Sequence, residues 1–145
     1  MLLLATLALS VAFSPWWNPW EYSLSSLGSV SNGLGGAFFD GGLATTAWSL
    51  TQVKDRFQTI LLTIALFAAL VAAINIDFGV LHFLVSVLVF LAMFAYVLAH
   101  GDALAYAGSA VSAAVWASHF ALGLPPGAAI PELVTISLTM YYLLK

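Results

Sequence analysis

The 145-residue chain is 63% hydrophobic and only 6% charged, far below the ~25% charged fraction of soluble domains, so its composition points to a membrane protein. Its three basic residues (Lys54, Arg56 and Lys145) stand against six acids, for a net charge of −3; no basic patch exists to neutralise phosphates, which excludes nucleic acid as a partner. With no Cys, a disulfide framework, a thiolate nucleophile and a Cys-ligated cluster are excluded too.

A bilayer-crossing helix needs about 20 mostly apolar residues. Six candidates follow in chain order, at about 2–17, 32–52, 57–74, 78–99, 103–122 and 131–144, predicting an all-α, integral membrane six-helix bundle in one domain over 1–145. The leading run, Met1 to Phe13, has the length of a signal-peptide core but no positive flank. It is read as a short first span, with a cleaved signal as the alternative at Ser10-Val11-Ala12. Trp16 to Gly28 then gathers Trp16, Trp17 and Trp20 beside Glu21, Ser23, Ser25 and Ser26. Aromatics this dense beside apolar runs suit the headgroup level, giving an extracytoplasmic Trp-rich loop made interfacial or re-entrant by Pro15, Asn18 and Pro19.

The second span carries Asp40, and Lys54-Asp55-Arg56 breaks it from the third. Asn75-Ile76-Asp77 turns into the fourth, which opens near His82 and ends at His100-Gly101-Asp102. The fifth holds His119 and stops at Gly123-Leu124-Pro125-Pro126-Gly127, since Pro cannot continue a helix. In the sixth, Pro131 suits a first helical position, Glu132 the positive end of the helix dipole and Lys145 the negative end. Basic residues favour the cytoplasmic side; a cell-membrane, multi-pass topology with both termini cytoplasmic puts all three there. Glu21, Asp77 and Glu132 then fall at the outer face, with Asp40, His82 and His119 near it. Small residues recur every fourth position in span two (Ala37, Gly41, Thr45, Ser49) and span five (Ala105, Ser109, Ala113, Ala117, Ala121). Such ridges let membrane helices approach closely, and packing within the bundle is the expected use.

An acid at membrane depth is expensive unless paired, protonated or facing water, which makes Asp40 a candidate functional residue. The plainer reading ties it by hydrogen bonds to a neighbouring helix through His82 or His119. With Glu132 these residues supply donors suited to a metal, but no paired ligand spacing supports one, and bis-His haem ligation lacks any motif. No metal and no cofactor is therefore expected. Ser23, Ser25 and Ser26 beside an outer-face His and acid allow a hydrolase triad in principle. No Gly-x-Ser-x-Gly elbow accompanies them, and loop or helix capping accounts for the hydroxyls.

Ser25-Ser26-Leu27-Gly28, Phe38-Phe39-Asp40-Gly41-Gly42, a span opening with His82 and containing Phe90, and Ile130-Pro131-Glu132 before the last span follow one another over nearly the whole chain. Together they resemble the largely archaeal membrane family called domain of unknown function 998. That family is distantly similar to the six-span Frag/DRAM/Sfk group, which is linked to lipid and membrane-trafficking roles. The resemblance implies a six-span fold and no particular activity. Two departures stand out: Ser26 replaces the family's usual Asp, and Asp40 its usual Asn, so an acid has moved from loop to helix. If the two positions adjoin, the charge of the site is kept.

The sequence thus predicts a non-enzymatic membrane protein that binds a lipid headgroup or a membrane-protein partner. The binding site would be an outer-face polar pocket drawn from Glu21, Ser25, Ser26, Asp40, Asp77, His82, His119 and Glu132, with the Trp-rich loop as its lid. A small intramembrane hydrolase or metalloenzyme using Asp40, His82, His119 and Glu132 is the alternative, and an accessory subunit of a larger membrane complex a third.

Overall fold

The helices of this chain are delimited by a few residues whose backbone cannot carry a helix onward. The computed structural model describes residues 2–145; Met1, the head of the leading apolar run, lies outside them. Six α-helices and, among the described residues, no strand are formed: α1 (Leu2–Ala12), α2 (Leu34–Gln52), α3 (Gln58–Ala73), α4 (Val80–Ala99), α5 (Ala103–Leu122) and α6 (Ala129–Leu144). Helix α1 stops at Ala12, short of the expected residue 17. Pro15 has no amide hydrogen and disfavours helical backbone before it, and the chain tightens into turns with Ser14 N–H on Val11 O.

Helices α2 and α4 are entered in the same way. A polar side chain caps a 3-10 turn: Ser29 accepts from Ser31 N–H before Val30–Asn32, and Asn75 from Asp77 N–H before Ile76–Phe78. A glycine then swings the chain into the helix, Gly33 at φ 57° and Gly79 at φ 56°. Side chains with a Cβ are strained there, so both positions require glycine. Helix α5 begins where expected because Asp102 caps it, accepting from Ala105 N–H at 2.8 Å. Helix α6 begins two residues before Pro131, placing that proline third rather than first. The first-turn N–H groups have no acceptor within the helix, so this position tolerates proline as well.

Helix α1 packs on α2, α2 on α3, and α3 on α4; α4, α5 and α6 pack on one another. The core sits among α2, α3 and α4, with Leu61, Ile64, Tyr96 and Val97 closed off from solvent, and Ala105 and Tyr142 joining from α5 and α6. The small-residue ridges do not pack as expected. In α2, Ala37, Gly41, Thr45 and Ser49 are all exposed; the close approach to α1 is made by Gly42, where a Cβ would overlap Thr6. In α5, Ala105 and Ser109 are buried but Ala113, Ala117 and Ala121 are exposed. Four residues advance a helix by about 400°, so a four-spaced row drifts about 40° per step and leaves the contact face.

Helix α4, with 20 residues and a mean hydropathy of 2.5, is long and apolar enough to cross a membrane. Helices α3 and α6 have 16 residues each, or about 24 Å, while α2 and α5 dilute their length with Gly, Ser and Thr. Lys54, Arg56 and Lys145 share one end of the bundle. There Asp55 accepts from the Tyr96 hydroxyl, the His100 ring contacts Phe57 and Tyr142, and Lys145 pairs with Asp102 at 3.1 Å.

Candidate functional site

At the opposite end, the α1–α2 connection folds back over the helices through side chains bonded to backbone. Asn18 Oδ1 accepts from Trp20 and Glu21 N–H, and its Nδ2 donates to Glu21 Oε2 at 3.1 Å. Trp17 Nε1 donates to Ser23 O at 2.8 Å. Asn32 Nδ2 donates to Ser14 Oγ and Leu27 O, both at 2.7 Å, while its Oδ1 accepts from Trp16 Nε1. The connection also bonds to the α5–α6 turn, with Gly127 N–H on Trp20 O at 2.8 Å and Ala129 N–H on Tyr22 O at 3.0 Å. A Cβ at Gly127 would overlap the Tyr22 backbone. Part of the expected lid is therefore relocated. Leu24 and Leu27 turn inward, Leu27 with no exposure, whereas Trp16 and Trp20 face outward, Trp20 at 53% exposure. Indole rings have no reason to enter a polar pocket when their N–H groups are satisfied or wet and their faces are apolar.

Below this cap lies a cavity of about 510 Å³ between α4 and α5, within the ~300–1,000 Å³ of small-molecule sites. Its long wall is apolar: Phe83, Val87, Phe90, Leu91 and Phe94 of α4 face Ala113, Trp116 and Phe120 of α5. Its capped end is polar, with Ser23, Ser25, His82, Ser86, His119 and Glu132. A second cavity of about 440 Å³ opens toward α1 and α2, and both are lined by Ser25, Ser86, Phe90 and Glu132, which form the partition between them.

Glu132 is buried, and its Oε2 accepts the Leu24 N–H at 2.5 Å, the bond that seats the cap on α6. His82 Nδ1 lies 2.5 Å from Ile74 O, and Ser86 Oγ lies 3.2 Å from Nε2. A carbonyl can only accept, so Nδ1 carries the hydrogen, and in the neutral imidazole Nε2 accepts the Ser86 hydroxyl. His119 repeats the arrangement, with Nδ1 2.8 Å from Pro125 O, and its Nε2 is left as an acceptor. Each imidazole thus ties its helix end to the neighbouring connection.

Of the eight residues expected to share one pocket, Ser25, His82, His119 and Glu132 line this cavity. The other four do not. Glu21 is exposed and bonded to Asn18, and Ser26 Oγ donates to Ser23 O at 2.6 Å. Asp77 accepts from Ser29 Oγ at 3.0 Å and Val30 N–H at 2.7 Å, joining the two capped 3-10 turns. Asp40 lines neither cavity. Its Oδ1 is buried without a hydrogen-bond partner among the described residues, against Gly28, so the expected tether through His82 or His119 is not made. Gly28 and Ser26 belong to one 3-10 turn, so Asp40 adjoins the turn that carries Ser26. Sequence reasoning missed Ser86 and Trp116. The spacing His82-x-x-x-Ser86 puts both on one helix face, a signal that was available.

Among the described residues no three His, Asp or Glu side chains converge to hold a metal ion. Ser86 and His82 have the reach of a nucleophile and base, but Ser86 sits inside α4, where neighbouring N–H groups are consumed by the helix and cannot form an oxyanion hole. The arrangement is that of a groove with an apolar length and a polar end. Compared with protein-family models, curated proteins and solved structures, the chain matches none.

Proposed function

We propose that the protein is a multi-pass membrane protein, termini cytoplasmic, that holds a single membrane lipid in the α4–α5 groove without chemically altering it. The observation that carries this reading is the groove itself: one mostly apolar wall about 16 Å long, from residue 83 to residue 94, ending in a cluster of polar groups. A lipid tail fits the wall and its head the cluster. Support for the membrane setting comes from the outer faces of the helices, where Leu66, Leu104 and Val111, none of them in the groove, are 58%, 48% and 59% exposed. Water does not tolerate apolar faces of that extent on a monomer, whereas lipid does.

Native mass spectrometry of protein released from nanodiscs tests the reading. Wild type retains one lipid per chain, and Ala113→Phe, which fills the groove from an exposed helix position, releases it at unchanged helix content. Lipid-free wild type, or equal retention by the variant, sinks the proposal.

A further inference from the structure

The polar end of the groove is rich in acceptors and poor in donors. Leu24 N–H occupies Glu132 Oε2 and leaves the second carboxyl oxygen to the cavity wall. His119 spends its Nδ1–H on Pro125 O, which leaves the Nε2 lone pair. Ser86 gives its hydrogen to His82, and Ser23 and Ser25 lie 3.0 Å apart and share one of their two hydroxyl hydrogens with each other. Charge points the same way. Glu21, Asp40, Asp77 and Glu132 all lie at this end, and Lys54, Arg56 and Lys145 all lie at the other.

We infer that the groove selects a single-chain lipid whose head donates hydrogen bonds and carries no negative charge, a hydroxyl or an amine. The inference rests on the lipid-binding reading above and adds the chemistry of the head. Hydroxyl or ammonium hydrogens find acceptors in Glu132 and His119 Nε2, the groups that line this end of the groove. A phosphate or carboxylate brings acceptors to acceptors. It also enters an end with no Lys or Arg to offset its charge, so the site disfavours it by uncompensated desolvation as well as by lost bonds. The cavity, about 510 Å³, has room for one tail.

Four probes with the same eighteen-carbon chain separate the possibilities: oleoyl glycerol, oleylamine, oleate and oleyl phosphate, each titrated in mixed micelles near pH 7 and read by native mass spectrometry. The first two bind at least about tenfold tighter than the last two. His119→Phe keeps a ring against Phe120 and removes the Nε2 acceptor, and it narrows that ratio several-fold; Glu132→Gln, which places an amide donor in the cluster, narrows it further. Should oleate or oleyl phosphate bind as tightly as oleoyl glycerol to wild type, the head assignment is overturned while the groove still holds a lipid. Should none of the four bind, or should Ala113→Phe bind all four as wild type does, the groove reading falls with it.

Discussion

Asp102 shows how much one side chain does at the basic end. Its Oδ1 accepts the Ala105 N–H that caps α5 and the Tyr142 hydroxyl from α6, and its Oδ2 pairs with Lys145. The Tyr142 hydroxyl, then the Ala105 N–H, then Lys145 hold its carboxyl down to about 2, from the ordinary 3.8. A group depressed in the folded state binds its proton more weakly there than in the unfolded chain. Its stabilisation is therefore complete above 3.8 and is lost as pH falls from 3.8 toward 2. Melting temperatures recorded between pH 6 and pH 2 decline across that window for wild type, and the decline is shallower in Asp102→Asn, whose amide oxygen keeps the cap but does not titrate. Superimposable acid limbs for the two proteins contradict this role. Because the Lys145 pair is half-exposed, removing only that partner by Lys145→Gln changes the limb less.

At the scale of elements, α5 is held to α6 by a polar seam and not by its row of alanines. Thr135 Oγ1 lies 2.7 Å from Ser112 Oγ, accepts from Trp116 Nε1 at 3.0 Å and donates to Pro131 O at 3.0 Å, while Gly108 lets Leu138 approach. Thr135→Val keeps shape but leaves Ser112 and Trp116 without their partner. Interhelical hydrogen bonds in membrane proteins average ~0.6 kcal/mol, so the loss is about 1–2 kcal/mol for the two together. Thr135→Ser restores most of it. Unfolding in a graded denaturing detergent reads both, and a silent Thr135→Val places the seam's contribution elsewhere. The contrast explains what was legible in the sequence. Helix α5 was read at its observed bounds because Asp102 and the Gly-Leu-Pro-Pro stretch are local signals. The end of α1 was misread because the apolar run through Trp17 outweighed Ser14-Pro15. The alanine row looked like an interface because spacing alone does not reveal the drift of a four-residue row. His82 and His119 were recognised as polar-end residues, but their partners are backbone carbonyls of Ile74 and Pro125, which no side-chain pattern encodes. Four of the eight expected residues meet at one cavity and four do not: position along a helix is readable, whereas azimuth around it is not, and Asp40 faces the cap instead of the groove.

For the whole molecule, the decisive asymmetry is between its two ends. One carries every basic residue, with Asp55 and Asp102 beside them; the other carries Glu21, Asp40, Asp77 and Glu132 under a cap whose indoles face outward. Lys and Arg weigh most in setting orientation, and acids little, so in the topology proposed above the basic end faces the cytoplasm and the indoles lie at the outer headgroups. In that setting α3 and α6, about 24 Å long, are shorter than a ~30 Å hydrocarbon core, a mismatch that local thinning and interfacial turns would absorb. The absence of Cys makes this directly measurable. Glu21→Cys sits in the exposed cap and Gln52→Cys at the exposed end of α2, on opposite ends of the bundle. In intact cells a membrane-impermeant maleimide labels Glu21→Cys, and it labels Gln52→Cys only after permeabilisation. Labelling of both from outside, or of neither until lysis, rules out a helix bundle crossing the membrane. The reversed pattern keeps the span but inverts it, moving the acidic end and the mouth of the groove to the cytoplasmic leaflet, so the lipid taken up would then come from that leaflet.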